Sequence, residues 1–312
     1  MNEPHIEKVL IVLFPSMAIL AAGFILAPRL LYFANDGTQP SPHPQAEIRE
    51  IQVETPTFTP APTIVPDILP TDYAEAPVIP DYLYDANGNP EPGLKSIGGK
   101  LYYFNQYGQR AKALGIDVSF YNKGINWDAV KAQGIDFAII RAGGRGWETG
   151  LIYEDECFRQ NLDGARAAGI DVGVYFYSTA INAAEAIQEA NYVLDCLNGT
   201  KLEYPIFFDI EQSGDYPYGR SDRLSKTMRA ETFNAFCTAV MEKGYRAGVY
   251  SGLFFLRNHI ASECFEPYYI WLANYTRYNR LPSYSGVYDM WQFTDSGTVN
   301  GIRGKVDMNV IY

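Results

Sequence analysis

Four regimes of hydrophobic and polar pattern follow one another along the chain. Val9 to Pro28 reads VLIVLFPSMAILAAGFILAP, 20 residues without a charge. As a helix, that run is long enough to cross a hydrocarbon core of about 30 Å. From about Ala34 to Pro80 apolar residues thin out, and prolines recur at 40, 42, 44, 56, 60, 62, 66, 70, 77 and 80. Proline removes backbone donors and favours extended chain, so this stretch is predicted to be a spacer without helix or sheet. Next, Tyr82-Leu83-Tyr84-Asp85-Ala86-Asn87-Gly88 and Leu101-Tyr102-Tyr103-Phe104-Asn105-Gln106-Tyr107-Gly108 each lead an aromatic run into a glycine turn, the pattern of a β-hairpin.

After Gly115 the pattern becomes regular. Short apolar runs predict strands at 115–119, 137–142, 171–178, 205–211, 246–251, 268–275, 289–294 and 305–310. Between the early ones lie helical segments: Trp127–Gln133, Glu156–Ala168, Ala183–Leu197 and Leu224–Lys243. In these, Glu189, Tyr192 and Val193, then Phe233, Phe236, Cys237 and Val240, recur at helical spacing. Alternating strand and helix predicts a parallel sheet, and eight strands suggest a closed one. The last three strands follow too closely for crossover helices. The expected fold class is α/β, an irregular TIM-like barrel that gives way to hairpins at its C-terminal end. A transmembrane helix, a Pro-rich linker and a short β-hairpin precede it. The expected boundaries are 1–33 for a cytoplasmic tip and signal anchor, 34–81 for the linker, 82–112 for the hairpin and 113–312 for the barrel.

Lys8 precedes the apolar run and Arg29 follows it, so flanking charge does not set an orientation. A cleaved signal peptide is the competing reading. The length of the run, Glu3 and Glu7 before it, and the lack of a clean A-x-A site after it favour an uncleaved anchor. An anchor with a long spacer suits a single-pass cell-membrane protein whose folded domain works outside the cell.

Composition narrows the chemistry. A formal charge of −11 with no basic stripe argues against nucleic acid as a partner. Of three histidines, His5 and His43 lie outside the barrel and only His259 remains. Histidine-based triads and metal sites are therefore poorly served, no metal or cofactor is expected, and carboxylates are the natural acid and base. Cys157, Cys196, Cys237 and Cys264 show no CxxC spacing. Four free thiols and two disulfides are both open, with 157–196 and 237–264 the pairing favoured by chain order. Gly143-Gly144-Arg145-Gly146 lacks the lysine of a phosphate loop and reads as a βα loop.

The strongest chemical signal is Pro205-Ile206-Phe207-Phe208-Asp209-Ile210-Glu211-Gln212, an apolar strand ending in two carboxylates. Alternation along a strand turns Asp209 and Glu211 to one side, where mutual repulsion raises a pKa as a general acid requires. Asp117 near the end of the first strand and Asp307 in the last, which neighbours the first once the barrel closes, bring the acids at one mouth to four. In this architecture catalytic residues lie at strand ends. Paired carboxylates without histidine point to glycoside hydrolysis. Tyr175, Tyr177, Tyr250, Trp271, Tyr275 and Trp291 suit a sugar cleft, and Gln292 could bond a substrate hydroxyl or amide.

Several motifs in order carry a resemblance: Gly115-Ile116-Asp117-Val118-Ser119, Asn126-Trp127, Phe137-Ala138-Ile139-Ile140-Arg141-Ala142-Gly143, Gly173-Val174-Tyr175-Phe176-Tyr177, Asp209-Ile210-Glu211, Gly248-Val249-Tyr250-Ser251, Ile270-Trp271-Leu272-Ala273-Asn274-Tyr275 and Trp291-Gln292-Phe293. Together they resemble glycoside hydrolase family 25, the bacterial and phage lysozymes (N-acetylmuramidases). The resemblance implies a barrel of five β/α units and three further strands. It also implies cleavage of the β-1,4 bond from N-acetylmuramic acid to N-acetylglucosamine in peptidoglycan glycan strands; a monomer is expected. It gives Glu211 the role of general acid and Asp209 that of nucleophile or orienter of the substrate acetamide. Asp117 and Asp307 become the other catalytic acids, with Tyr175, Tyr177, Tyr250, Trp271, Tyr275 and Gln292 binding substrate. A non-catalytic glycan-binding module and a chitinase-like glycosidase are the alternatives. The stretch Ile97-Gly98-Gly99-Lys100-Leu101-Tyr102-Tyr103-Phe104 with Gly108 resembles a cell-wall-binding repeat. A solenoid of such repeats needs three or more units, so a lone hairpin packed on the barrel is expected.

Overall fold

Alternating apolar and polar positions build two sheets. In the smaller, β1 (Gly93–Ile97) pairs antiparallel with β2 (Lys100–Phe104). They turn at Gly98 and Gly99, whose φ values of 59° and 82° lie where a side chain is disfavoured. The larger sheet holds β3 (Ala113–Val118), β4 (Phe137–Arg145), β5 (Ile152–Glu154), β6 (Asp171–Tyr177), β7 (Ile206–Asp209), β8 (Ala247–Gly252), β9 (Tyr269–Ala273), β10 (Met290–Gly297) and β11 (Val306–Ile311). Neighbours run β3-β11-β10-β9-β8-β7-β6-β4-β5, and β3 also pairs with β4. Eight strands thus close into a barrel, and β5 is a short antiparallel flap on β4. The computed structural model describes residues 77–213, 219–261 and 265–312, all within the compact unit Pro70–Tyr312. The Val9–Pro28 anchor and the spacer up to residue 76 lie outside the described residues. Among those described, no helix is long and apolar enough to cross a membrane.

Helices α1 (Trp127–Ala132), α2 (Phe158–Ala167), α3 (Ala183–Leu197), α4 (Lys226–Glu242) and α5 (Leu253–His259) supply five β/α units, and three strands follow without one. Side-chain caps start three of them: Asn126, Asn182 and Ser225 accept from the backbone N–H groups of Ala129, Glu185 and Met228. In α3 the buried positions Ala186, Glu189, Ala190, Val193 and Leu197 form one stripe against the sheet. On the flank without helices the hairpin covers the barrel. Tyr103 packs against Phe293 at 4.2 Å between ring centroids and edge-on to Trp291 at 5.7 Å, and Lys112 N–H bonds the Ile311 carbonyl.

Three expectations need correcting. The Gly143-Gly144-Arg145 stretch is strand, not loop, because a Cβ on either glycine would collide with Tyr153 as β5 folds back. Of the expected C-terminal hairpins, β10–β11 is one, whereas β9 and β10 run parallel. The fifth helix that the resemblance implies is α5, which periodicity alone does not place, since seven residues are too few to show a period. Cys157 and Cys196 are free thiols, which overturns that pairing: Cys157 sits at the start of α2 and Cys196 hydrogen-bonds Tyr192. Cys237 is also free, its thiol against the Gly248 carbonyl, and Cys264 lies outside the described residues.

Candidate active site

Strand direction decides what meets at the mouth. The parallel strands deliver their C-terminal ends there, while antiparallel β11 delivers its first residues. Asp307 is therefore the register partner of Asp117 across β11 and β3, and the two carboxyls hydrogen-bond each other. Asp209 is the last residue of β7, and its carboxyl hydrogen-bonds Glu211. The four acids form two carboxyl pairs facing one mouth.

The first pair sits in a closed network. Asp117 Oδ1 accepts from Gln292 Nε2 at 2.9 Å and from Asn309 Nδ2 at 2.8 Å. Gln292 Oε1 accepts from the hydroxyls of Tyr250 at 2.9 Å and Tyr275 at 2.8 Å. Asn309 Oδ1 accepts from the Trp271 indole at 2.8 Å. The Trp271 indole can only donate, so the Asn309 amide must turn its oxygen to it and its nitrogen to Asp117. Burial first, then the Asp307 charge, push the Asp117 acid well above the usual aspartate range, while the two amides pull it back.

The second pair is less satisfied. Asp209 is 3% exposed, and its buried Oδ1 accepts no hydrogen bond from the described residues. Burial, then the charges of Glu211 and Asp117, hold its acid well above the ordinary value, with Arg141 acting in the opposite direction. Glu211 is also raised by burial, and by Asp307; its bond to Asp209 works against that. Two raised, hydrogen-bonded carboxyls titrate as a unit and hold a proton to higher pH than isolated acids do.

The model of the family described as Glycosyl hydrolases family 25 matches residues 116–302. The chain belongs to that family. The Autolytic lysozyme of Clostridium acetobutylicum is 29% identical over 198 residues, covering 62% of this chain and 54% of that one. Lysozyme M1 of Streptomyces globisporus is 30% identical over 208 residues, covering 62% of this chain and 66% of that one. Among solved structures, the modular autolysin LytC of Streptococcus pneumoniae, in complex with a synthetic peptidoglycan ligand, superposes with a TM-score of 0.60 at 27% identity. That superposition covers 74% of this chain and 56% of LytC. This chain thus spans little more than half the length of the Clostridium lysozyme and of LytC.

Around the four acids the other candidate residues divide into layers. Tyr250 and Tyr275 reach the mouth through Gln292, and Tyr177 is tied to Ser213 just beyond Glu211. Trp271 lies one layer down, 1% exposed, in the barrel-interior cluster with Phe207 and Tyr250, and Tyr175 packs edge-on against it at 5.9 Å. Trp291 alternates with inward Gln292 and points to the outer layer, where its N–H bonds the Asn274 carbonyl. Two further parts of the site were not assigned from sequence. Asn309 lay in view beside Asp307, but an asparagine in a strand has no single use. Arg141 is buried midway along β4, donates to Asp155 at 2.7 Å, and stacks 4.8 Å from the Phe120 ring. No periodicity marks that pair, because the fold-back of the chain after β4 brings it together.

Among the described residues no group of three or more His, Cys, Asp or Glu side chains is arranged to hold a metal. Size does not mark the site either. A cavity of about 770 Å³ lies at the opposite ends of the strands, by Tyr204 and Arg246 before β7 and β8, and none of the four acids lines it.

Proposed function

We propose that the chain is a peptidoglycan hydrolase that cleaves the β-1,4 bond between N-acetylmuramic acid and N-acetylglucosamine, with Glu211 as proton donor and Asp209 as its partner. Family membership supports a glycosidase, and the lysozymes among its relatives support the substrate. The observation that supports a paired role is the hydrogen bond joining the raised Asp209 and Glu211 carboxyls, with one Asp209 oxygen unpartnered. That bond raises Asp209 and lowers Glu211, so the free pair keeps its shared proton on Asp209, and the proton passes to Glu211 when the substrate acetamide N–H bonds Asp209.

The steps follow from those atoms. Glu211 gives its proton to the glycosidic oxygen as the bond from the muramic C1 breaks. The substrate's acetamide oxygen attacks C1 and closes an oxazolinium ring, while Asp209 accepts a hydrogen bond from the acetamide N–H and offsets the developing positive charge. Glu211, now a carboxylate, takes a proton from water as the water oxygen attacks C1 and the ring reopens. The configuration at C1 is retained. A buried carboxylate oxygen without a donor suits this role, because the substrate supplies the missing N–H.

Digestion of defined peptidoglycan by the full chain, with borohydride labelling of new reducing ends, tests the reading. Muramic acid ends are expected; glucosamine ends or no release would overturn it. We further propose that Val9–Pro28 is an uncleaved anchor holding the barrel outside the cell. Alkaline carbonate should then leave the chain in the membrane fraction, and protease added to intact spheroplasts should release the barrel.

A further inference from the structure

The 770 Å³ cavity at the rear of the barrel has chemistry unlike the mouth. It lies where α3 and α4 end and β7 and β8 begin, and Lys201, Lys243 and Arg246 line it against a single acid, Asp195. In a chain of net charge −11, three cations around one cavity are an accumulation the average composition does not supply. None of the three makes an ion pair or side-chain hydrogen bond with another described residue. They do not close the helix ends: backbone N–H groups of Asn198 and Lys243 bond the last carbonyls of α3 and α4. Two further aspartates, Asp171 and Asp136, act on Tyr204 through their charge, opposed by Arg246, and neither pairs with a lysine.

The walls and Arg246 are held in place, while Lys201 and Lys243 carry no bonded partner among the described residues. Tyr204 stacks on Phe137 at 4.6 Å, the Tyr245 hydroxyl donates to the Thr200 carbonyl at 3.0 Å, and Arg246 sits 5.6 Å from the Tyr269 ring. A preformed cavity of several hundred Å³ with a few converging polar groups is what a ligand site requires. Cations without partners repel one another and gain from an anion placed between them. Lysine point charges and an arginine fork can share the oxygens of a phosphate group, and tyrosine faces suit the carbon–hydrogen faces of a polyol or sugar.

We propose that this rear cavity is a second binding site, for the phosphodiester groups of a polyol- or sugar-phosphate chain. It opens away from the acid mouth, so an anionic polymer held there leaves the mouth free for a neutral glycan. A phosphodiester chain in the site's surroundings would then hold the hydrolase against its substrate.

The test titrates the full chain, by calorimetry, with poly(glycerol phosphate), with inorganic phosphate and with an N-acetylglucosamine oligomer. Poly(glycerol phosphate) should bind with an affinity that falls steeply with salt, and at least about 10-fold more tightly than inorganic phosphate. Lys201→Glu with Lys243→Glu should weaken that binding roughly 10-fold or more. Both lysines are exposed and unbonded, so folding is not at stake, and hydrolysis of phosphate-free glycan should stay within about twofold of the parent. Arg246→Ala should add to the loss. Absence of polymer binding, polymer binding unaffected by the double reversal, or equal affinity for inorganic phosphate would each overturn the proposal. None of the three overturning outcomes uses turnover, so the hydrolase assignment stands or falls separately.

Discussion

Asp117 and Asp209 are the same residue type at the same mouth, 5% and 3% exposed, and each hydrogen-bonds a second carboxyl. Their surroundings differ. Asp117 is clasped by two amides whose own oxygens are clasped by two phenols and an indole. Asp209 keeps an oxygen that nothing among the described residues bonds. A fully satisfied buried polar network holds one arrangement rigidly, whereas an unsatisfied buried oxygen costs stability until a partner arrives. The difference teaches that burial and charge alone do not distinguish the two acids; the count of hydrogen-bond donors does, and under the proposed mechanism it marks Asp209 as the one left open for substrate.

The largest test of that contrast is Glu211→Gln. It keeps the shape of the second pair and removes its proton, and kcat should fall by about 10²- to 10⁴-fold with little change in KM. Near-parental turnover would remove Glu211 from the reaction. Asp209→Asn should lower kcat by about 10²-fold and at the same time raise the melting temperature at pH 7. The sign follows from linkage. The folded-state pKa of Asp209 is raised, so the native state holds protons that the unfolded state releases, and stability is lost as pH rises from the ordinary aspartate value of 3.8 through the raised one. Melting curves at pH 7 and pH 3 should therefore differ: a gain at the first and almost none at the second. A loss of stability at pH 7 would contradict the account of Asp209 as an unsatisfied acid.

Two smaller effects probe the coupling between the pairs. Asp307 is a like charge acting on Glu211, so Asp307→Asn should lower the Glu211 pKa and move the alkaline limb of kcat to lower pH, on the order of half a unit. A limb that moves upward would mean that Asp307 acts otherwise. Trp271→Phe removes the indole N–H and leaves Asn309 Oδ1 without its donor. It should cost about 1–3 kcal/mol in urea unfolding, with a weaker effect on KM than on stability. An equal loss from Trp291→Phe would be unexpected, since that N–H caps a loop carbonyl on the outer layer.

Much of this site was legible in the chain because strands report themselves simply. Apolar runs of the right length located the strands, and their ends located Asp117, Asp209 and Glu211. Asp307 was legible only on the assumption of closure, which makes the last strand a neighbour of the first. What escaped were relations set by direction and distance. Whether β9 and β10 pair parallel or as a hairpin is not written in their composition, since the residues between them permit either. The Arg141–Asp155 pair depends on β4 running on past Gly143 and Gly144 and the chain folding back. Cysteine order suggested a 157–196 bond, but chain order does not bring two thiols together.

By itself the sequence determined the barrel and the identity of its acids, because hydrophobic period and strand termini are local properties that each segment carries alone. Through the scarcity of histidine it also pointed to carboxyls as the acid and base of the proposed reaction. Only the tertiary structure decided which carboxyl is held and which is left open. That choice depends on donors brought from β10 and β11, the second of them held by an indole from β9, to within 3 Å of one oxygen and not of another. Hydrogen bonds act over such short distances that only the assembled barrel can make the distinction.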